Sequence, residues 1–410
     1  MMSAAPCKRS VDPVIAFVGC MVPDEPDFHG PAFNRAGQMF QQGLLDGLTA
    51  AGLGPDTILC FEPIPAFPRG RRLVGRFGTY TTRTGTSVNL LPFVNIHPFK
   101  WLTLGLAVLI ALARWSWRCR GRRRIIYCVN LTMPPGLFTW IAARLTGAKA
   151  FVALLDVLKP GALVPDTMSW RFDFALQRWL IPRHDGVMVV SRAIGDDLAP
   201  GRRVCLVDGG VNPEAFAAAP ARSERRGPAG VFRVVLTGSL ERFNGVDMAL
   251  EAMPYLPAGY ELILAGSGSL ADKVREVAAR DPRVTYRGFL EFQQVLELYW
   301  SADLLLNLRL TRAVDTRYFF PSKLMEMLTS ATPVLSTCTG HVEEEYGHVA
   351  YLLRDETPRA LAERIVEIAQ IPVDERRTLG RRARDFMFAE KTWQKQGQRL
   401  AHYIRTEVLA

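Results

Sequence analysis

Short apolar runs of three to seven residues, each stopping near a glycine or a small polar residue and followed by text of helical length, recur along this chain. In the first half they are 14–20 (VIAFVGC), 57–61, 125–130 (IIYCVN), 151–155 (FVALL) and 186–191 (GVMVVS). In the second half they are 232–236 (FRVVL), 260–265 (YELILA), 284–286, 304–307 and 333–336 (PVLS). Runs so short and so continuously apolar suit strands covered on both faces, the condition of a parallel sheet between helices. Helical text at 32–51, closed by Gly52, and at 135–146 fills two of the intervals, while proline-rich and glycine-rich text from 62 to 85 predicts loops. The alternation predicts βαβ units and doubly wound α/β domains.

The pattern halts once and restarts. Residues 214–230 (EAFAAAPARSERRGPAG) are small, polar and proline-containing, the composition of a linker. A chain of 410 residues also exceeds what one hydrophobic core organises. The expected division is an N-terminal Rossmann-like domain over 11–215, a linker over 216–231 and a second domain over 232–391, with a helix at 392–410 returning to the first.

Composition excludes several classes. Apolar residues make up 49% and charged residues 22%, as in a packed globular enzyme rather than a disordered chain. The net charge of +10 gathers at 69–76, 114–124 and 376–384, and such patches attract phosphates. No zinc-finger spacing, RNP-type strand or basic zipper accompanies them, so a nucleic-acid partner is not expected. Seven cysteines, without a CxxC pair, argue against a disulfide framework or a zinc site and for a reducing, cytoplasmic setting. No signal peptide is read at the N-terminus. The run 101–113 (WLTLGLAVLIALA) ends at Arg114, short of the roughly 20 apolar residues a spanning helix needs. It reads first as a buried domain helix. The sharper reading is a helix lying in a membrane surface, with Trp115, Trp117 and the arginines at the headgroups and peripheral contact through 99–124.

Glycine turns follow three strands of the second half, at Gly238, at Gly266 and at Gly288–Phe289. Ligands in open α/β sheets bind beyond the carboxyl ends of strands, where glycines let backbone amides approach phosphates. The text FFPSKLMEMLTSATPVLST (319–337) predicts a helix starting at Pro321 or Ser322 with Lys323 and Glu326 on one face. There Lys323 would meet a phosphate and Glu326 a ribose diol. Asp156 follows FVALL at a strand's carboxyl end and is the candidate for the acceptor or sugar side; a loop or N-cap aspartate is the equal alternative.

From about 232 to 390 the order of these pieces resembles the donor domain of glycosyltransferase family 4, which has the GT-B fold of two facing Rossmann-like domains. The resemblance rests on VLTGSLERFNGVDMALEAM, LILAGSGSLADKV, VTYRGFLEFQQVLELYWSADLLLNL and FFPSKLMEMLTSATPVLSTCTGHVEEEY. It implies a retaining transferase that takes a nucleotide-sugar donor, needs no metal or other cofactor, and glycosylates a saccharide or lipid-linked acceptor in surface-polysaccharide synthesis. Glu326 matches the second glutamate of the family's Glu-x7-Glu motif, Gly238 the glycine beneath the diphosphate, and Gly288 with Phe289 the loop against the base. Tyr318 stands at the first glutamate of the motif, Ser239 and Asn244 at the usual arginine and lysine, Ala331 at a glycine, and Leu155 at a histidine. With Ser239 and Asn244 uncharged, Arg242 and Lys323 are the expected cations. A sugar 2-epimerase of the same architecture and a non-catalytic nucleotide-sugar-binding protein are the alternatives.

Overall fold

A computed structural model describes residues 13–30, 32–82, 85–161, 164–217, 230–311 and 316–410. Residues 1–12, where no signal peptide is expected, and most of the expected linker lie outside them.

Two sheets organise these residues. The first comprises β1 (Val14–Gly19), β2 (Thr57–Cys60), β3 (Gly78–Thr81), β4 (Ser87–Leu90), β5 (Arg124–Val129), β6 (Lys149–Leu154), β7 (Gly186–Val189) and β8 (Cys205–Leu206). Its order is β3-β4-β2-β1-β5-β6-β7-β8, parallel except where β3 pairs antiparallel with β4. The second comprises β9 (Phe232–Ser239), β10 (Tyr260–Ser267), β11 (Val284–Tyr286), β12 (Leu304–Asn307), β13 (Val334–Thr337) and β14 (Tyr351–Leu353), in the all-parallel order β11-β10-β9-β12-β13-β14. This is the GT-B arrangement. β1, with six consecutive buried residues, shows why continuous apolar runs rather than alternation marked the strands.

Several expectations need correction. Strand β3 lies inside 62–85, read as loop; its residues are exposed or half-buried, so no apolar run announced it. The first helix begins at Arg35, where the Asn34 side chain accepts a 2.9 Å hydrogen bond from the Gly37 amide. Phe216, assigned to the linker, is buried in a core of the second domain, edge-on to Phe292.

The apolar run 101–113 lies in the helix Phe99–Arg118, the one described helix long and apolar enough to cross a membrane. One face, carrying Leu104, Val108, Leu112 and Trp115, is buried. Trp115 is therefore not at a membrane surface; its indole donates to Asp56 at 2.9 Å. The opposite face leaves Phe99, Leu102, Leu106, Ile110 and Trp117 exposed. The wholly buried reading fails for this face.

The chain crosses back to the first domain near its end. Val211 and Thr392 form a parallel bridge, and the helix Trp393–Tyr403 packs on the helix Arg35–Ala50. A Cβ on Gly47 would lie 2.2 Å from the Trp393 carbonyl oxygen, so the contact is open only to glycine. Beside the crossing, buried Asp208 accepts from Tyr346 Oη at 2.6 Å, from His341 Nε2 at 3.1 Å and from Lys391 Nζ. Burial alone would raise the Asp208 carboxyl, but these donors and the Lys391 charge hold it below the ordinary value. A second tie runs from Tyr318 Oη to Asp197 at 2.8 Å, with Arg317 also paired to Asp197 at 3.3 Å.

Candidate active site

The carboxyl ends of β9 and β10 lie in register, Gly238 against Gly266 and Ser239 against Ser267. Gly266 has φ 139° and a Cβ there would lie 1.8 Å from the Gly238 carbonyl oxygen, so bare backbone forms this edge. The Gly266 amide donates to the Gly288 carbonyl at 2.7 Å, which joins the third turn to the shelf. Asn244 closes the first turn by donating its side-chain amide to the Ser239 carbonyl at 2.8 Å. Ser239 and Phe289 are exposed at the rim.

The helix Ser322–Thr329 begins over this shelf, with Pro321 before it and Ser322 exposed at its first turn. Its apolar face of Leu324, Met325 and Leu328 enters the core and leaves Lys323 and Glu326 half-buried beside each other. The Lys323 chain lies across Gly238: a Cβ there would sit 3.0 Å from Cε and 3.2 Å from Nζ. Burial lowers the Lys323 amine and raises the Glu326 carboxyl, each shift opposed by the other group's charge. Neither side chain has a hydrogen bond or ion pair among the described residues. A cation, a carboxylate and a helix N-terminus thus converge on a glycine shelf, a combination suited to a phosphate and a neighbouring diol.

Two further residues face each other from opposite domains. Asp156 follows β6, and burial raises its carboxyl against the opposing charge of Arg309. Arg309 follows β12; burial lowers its guanidinium against the charge of Asp156. The Arg309 backbone is fixed by Thr337 and Thr339: its amide donates to Thr337 Oγ1 at 2.9 Å and its carbonyl accepts from both hydroxyls at 3.0 Å. On the other side Asn130, at φ 58°, accepts from the amides of Leu155 at 2.8 Å and Asp156 at 3.1 Å. That side chain sets the turn carrying Asp156.

The structure brings Gly238, Gly266, Gly288, Lys323 and Glu326 to one edge. Arg242 is placed otherwise: it is 80% exposed and its Nε pairs with Asp247 at 3.3 Å. Arg309, absent from the sequence reading, is a half-buried cation opposite Asp156. Its signal was a basic residue just beyond a strand's carboxyl end (NLRL), indistinguishable there from a surface arginine. Tyr318, in the position of the family's first glutamate, is 6% exposed and committed to Asp197. Among the described residues no cluster of three or more His, Cys, Asp or Glu could hold a metal ion, and the six described cysteines are free.

Residues 231–370 match the family described as glycosyl transferases group 1. WcaL of Escherichia coli strain K12, named as a colanic acid biosynthesis glycosyltransferase, is 24% identical over 194 residues, 45% of this chain and 47% of that protein. The chain thus matches about half the length of that curated relative. Among solved structures, Anabaena Alr3699/HepE in complex with UDP and glucose has a TM-score of 0.63 at 17% identity, covering 96% of this chain and 100% of that one. Sucrose-phosphate synthase of Thermosynechococcus elongatus has a TM-score of 0.66 at 16% identity, covering 96% and 98%. A glycosyltransferase of Rickettsia africae has 0.67 at 14%, covering 97% and 99%.

Proposed function

We propose that this GT-B protein, whose residues 231–370 form a group 1 glycosyltransferase domain, transfers a glycosyl residue from a nucleotide-sugar to a growing surface polysaccharide. The observation that carries the reading is the convergence of Lys323 and Glu326 on the Gly238–Gly266 shelf, inside the matched domain. The donor's diphosphate sits on the shelf against Lys323 and the helix N-terminus, and its ribose hydroxyls donate to Glu326. UDP in the complex with HepE supports a uridine nucleotide as the first donor to try.

In the proposed reaction the bond between the sugar's anomeric carbon and the leaving phosphate oxygen breaks. The nucleoside diphosphate departs with the electron pair. The acceptor hydroxyl oxygen bonds to that carbon on the face just vacated, which retains configuration, and its proton passes to a donor phosphate oxygen. Lys323, Arg309 and the helix dipole stabilise the departing charge through fixed positive groups, with no metal assigned a role. Asp156 faces the acceptor or the sugar.

The acceptor in this reading is lipid-linked and met at the cytoplasmic membrane face. Its support is the exposed stripe Phe99, Leu102, Leu106, Ile110 and Trp117, flanked by exposed Arg114, Arg118 and Arg120. Loop residues Phe67, Leu73, Val74 and Phe77, with Arg69, Arg71 and Arg72, are also exposed and adjoin the start of that helix through the Phe67–Ile96 and Val74–Val94 bridges.

A panel of nucleotide-sugars tested for donor hydrolysis and transfer decides the reading. Glu326→Ala weakens donor binding by about 1–3 kcal/mol, because diol donors lose a buried acceptor. Wild-type donor affinity in that variant, or no turnover of any donor by the native chain, overturns the assignment. Activity persists in EDTA.

A further inference from the structure

At the amino-terminal edge of the second sheet, away from the glycine shelf, lies a separate pocket. It is framed by Asp303 just before β12, by Ala331–Pro333 just before β13, and by the helix Val373–Glu390. Its lining includes four arginines of that helix, Arg376, Arg377, Arg381 and Arg384. Arg377, Arg381 and Arg384 are spaced i, i+4, i+7 and so share one helical face. All four are buried or half-buried rather than spread into solvent.

The pairing of these guanidiniums does not balance. Arg376 donates from Nε to the Ile371 carbonyl at 3.0 Å, stacks over Phe232 and lies 3.9 Å from Asp303. Arg381 donates to Thr378 Oγ1 at 2.7 Å. Arg377 and Arg384 make no hydrogen bond or ion pair among the described residues. Asp303 is the one acid among the lining residues, and one of its oxygens already accepts from the Arg233 amide at 2.9 Å. The helix Ser322–Thr329 ends nearby, but a helix C-terminus supplies only about half a negative charge. Four cations against one carboxylate and that half charge leave the pocket about two and a half negative charges short. Trp300 also lines it and has an indole Nε1 buried without a partner.

The backbone holds the cations together. Gly380 sits against the turn before β13, where a Cβ would lie 2.2 Å from the Ala331 carbonyl oxygen. The helix is therefore pressed onto the sheet edge, and its arginines cannot be carried apart without opening that contact. Like charges fixed at close range raise the free energy of the empty site, and a compact multivalent anion removes that cost while accepting several charge-assisted hydrogen bonds.

We infer that this arginine pocket is a second anion site, distinct from the glycine shelf, which takes a small phosphate-bearing solute of the sugar-phosphate or diphosphate class. Guanidinium forks suit phosphate oxygens.

Pyrophosphate titrated into the full chain by calorimetry tests the site, with Arg377→Gln/Arg384→Gln and Lys323→Ala as the two arms and melting curves as a check on folding. Saturable binding in Lys323→Ala, weakened at least about tenfold when Arg377→Gln/Arg384→Gln is added to it, is the expected result, since each lost charged hydrogen bond is worth more than that factor. Val373→Glu, on a residue 42% exposed at the pocket's edge, weakens binding without removing an arginine. Binding in Lys323→Ala that is unchanged when Arg377→Gln/Arg384→Gln is added, or binding that Lys323→Ala alone abolishes, assigns the anion elsewhere and overturns the inference. Binding only to phosphatidylglycerol vesicles, without affinity for pyrophosphate, overturns it too. None of these outcomes depends on whether the chain transfers sugar.

Discussion

In the readings proposed here both ends of the second sheet hold anions, but by different means. At the carboxyl end the floor is main chain: Gly238 and Gly266 leave room for it, and one lysine lies across it. At the amino end there is little free backbone, and four arginines from one helix supply the charge. The difference follows from strand direction. In a parallel sheet the loops that open into helix N-termini all gather at the carboxyl edge, so amides and dipoles are available there and few cations are needed. At the opposite edge helices end and their dipoles are negative, so positive potential has to come from side chains.

The contrast can be broken or sharpened experimentally. The largest effect expected is at the shelf: Lys323→Ala lowers turnover about 100- to 1000-fold, the loss seen when a fixed positive group facing developing charge is removed. Single-turnover kinetics measures it, and a fall of only a few-fold would place the main phosphate cation elsewhere, with Arg309 next to be replaced.

Asn130→Ala should destabilise the first domain by about 2 kcal/mol, since the amides of Leu155 and Asp156 lose their acceptor and alanine is strained at a positive φ. Asn130→Gly removes the same acceptor without that strain and should recover part of the loss in urea denaturation. Equal losses would mean that strain plays no part.

A smaller, pH-dependent effect separates a shelf that carries buried charge from an ordinary surface. The Glu326 carboxyl is raised in the folded chain by burial, so its contribution to stability is complete below the ordinary carboxylate range and is lost as pH rises through the raised value. Glu326→Gln does not titrate there. Its melting temperature minus that of the native chain should therefore become more positive between about pH 4 and pH 7, near and above the ordinary glutamate value. A difference that is flat with pH would mean the carboxylate is paired in solution.

The smallest effect belongs to the turn before β13, in the wall of the arginine pocket. Ala331 holds φ 61°, a conformation glycine adopts without strain, where the family resemblance also places a glycine. Ala331→Gly trades relief of about 1 kcal/mol of strain against the greater entropy of an unfolded glycine, for a net gain of about 0.5 kcal/mol. Destabilisation would show that the Ala331 methyl, rather than the backbone angle, matters for packing on the arginine helix.

The residues differ in how far they could be read before the chain was folded. The strands β1, β5, β6, β9, β10 and β12 stood out because burial on both faces demands unbroken apolar text. The exposed β3 gave no such signal. Gly238, Gly266 and Lys323 could be placed at one edge because a parallel sheet with right-handed crossovers leaves its strand ends nowhere else to go. Arg242 and Arg309 looked alike as letters after strand ends; which one is buried depends on the facing domain, and Asp156 comes from that domain. Trp115 and Trp117, two residues apart, point into the core and into solvent, a split that the helix's rotation on the sheet decides.

The sequence by itself determined two parallel α/β domains, the edge at which the glycine turns gather, and a helix face carrying Lys323 with Glu326. These follow from local periodicity and from the fixed chirality of the chain. Only the tertiary structure decided that Tyr318 ties to Asp197 across the domains, that Arg309 confronts Asp156, and that residues near 302, 332 and 377 enclose one basic pocket. Those arrangements join segments distant along the chain, and their energies come from burial and mutual charge, which exist only once the pieces are packed.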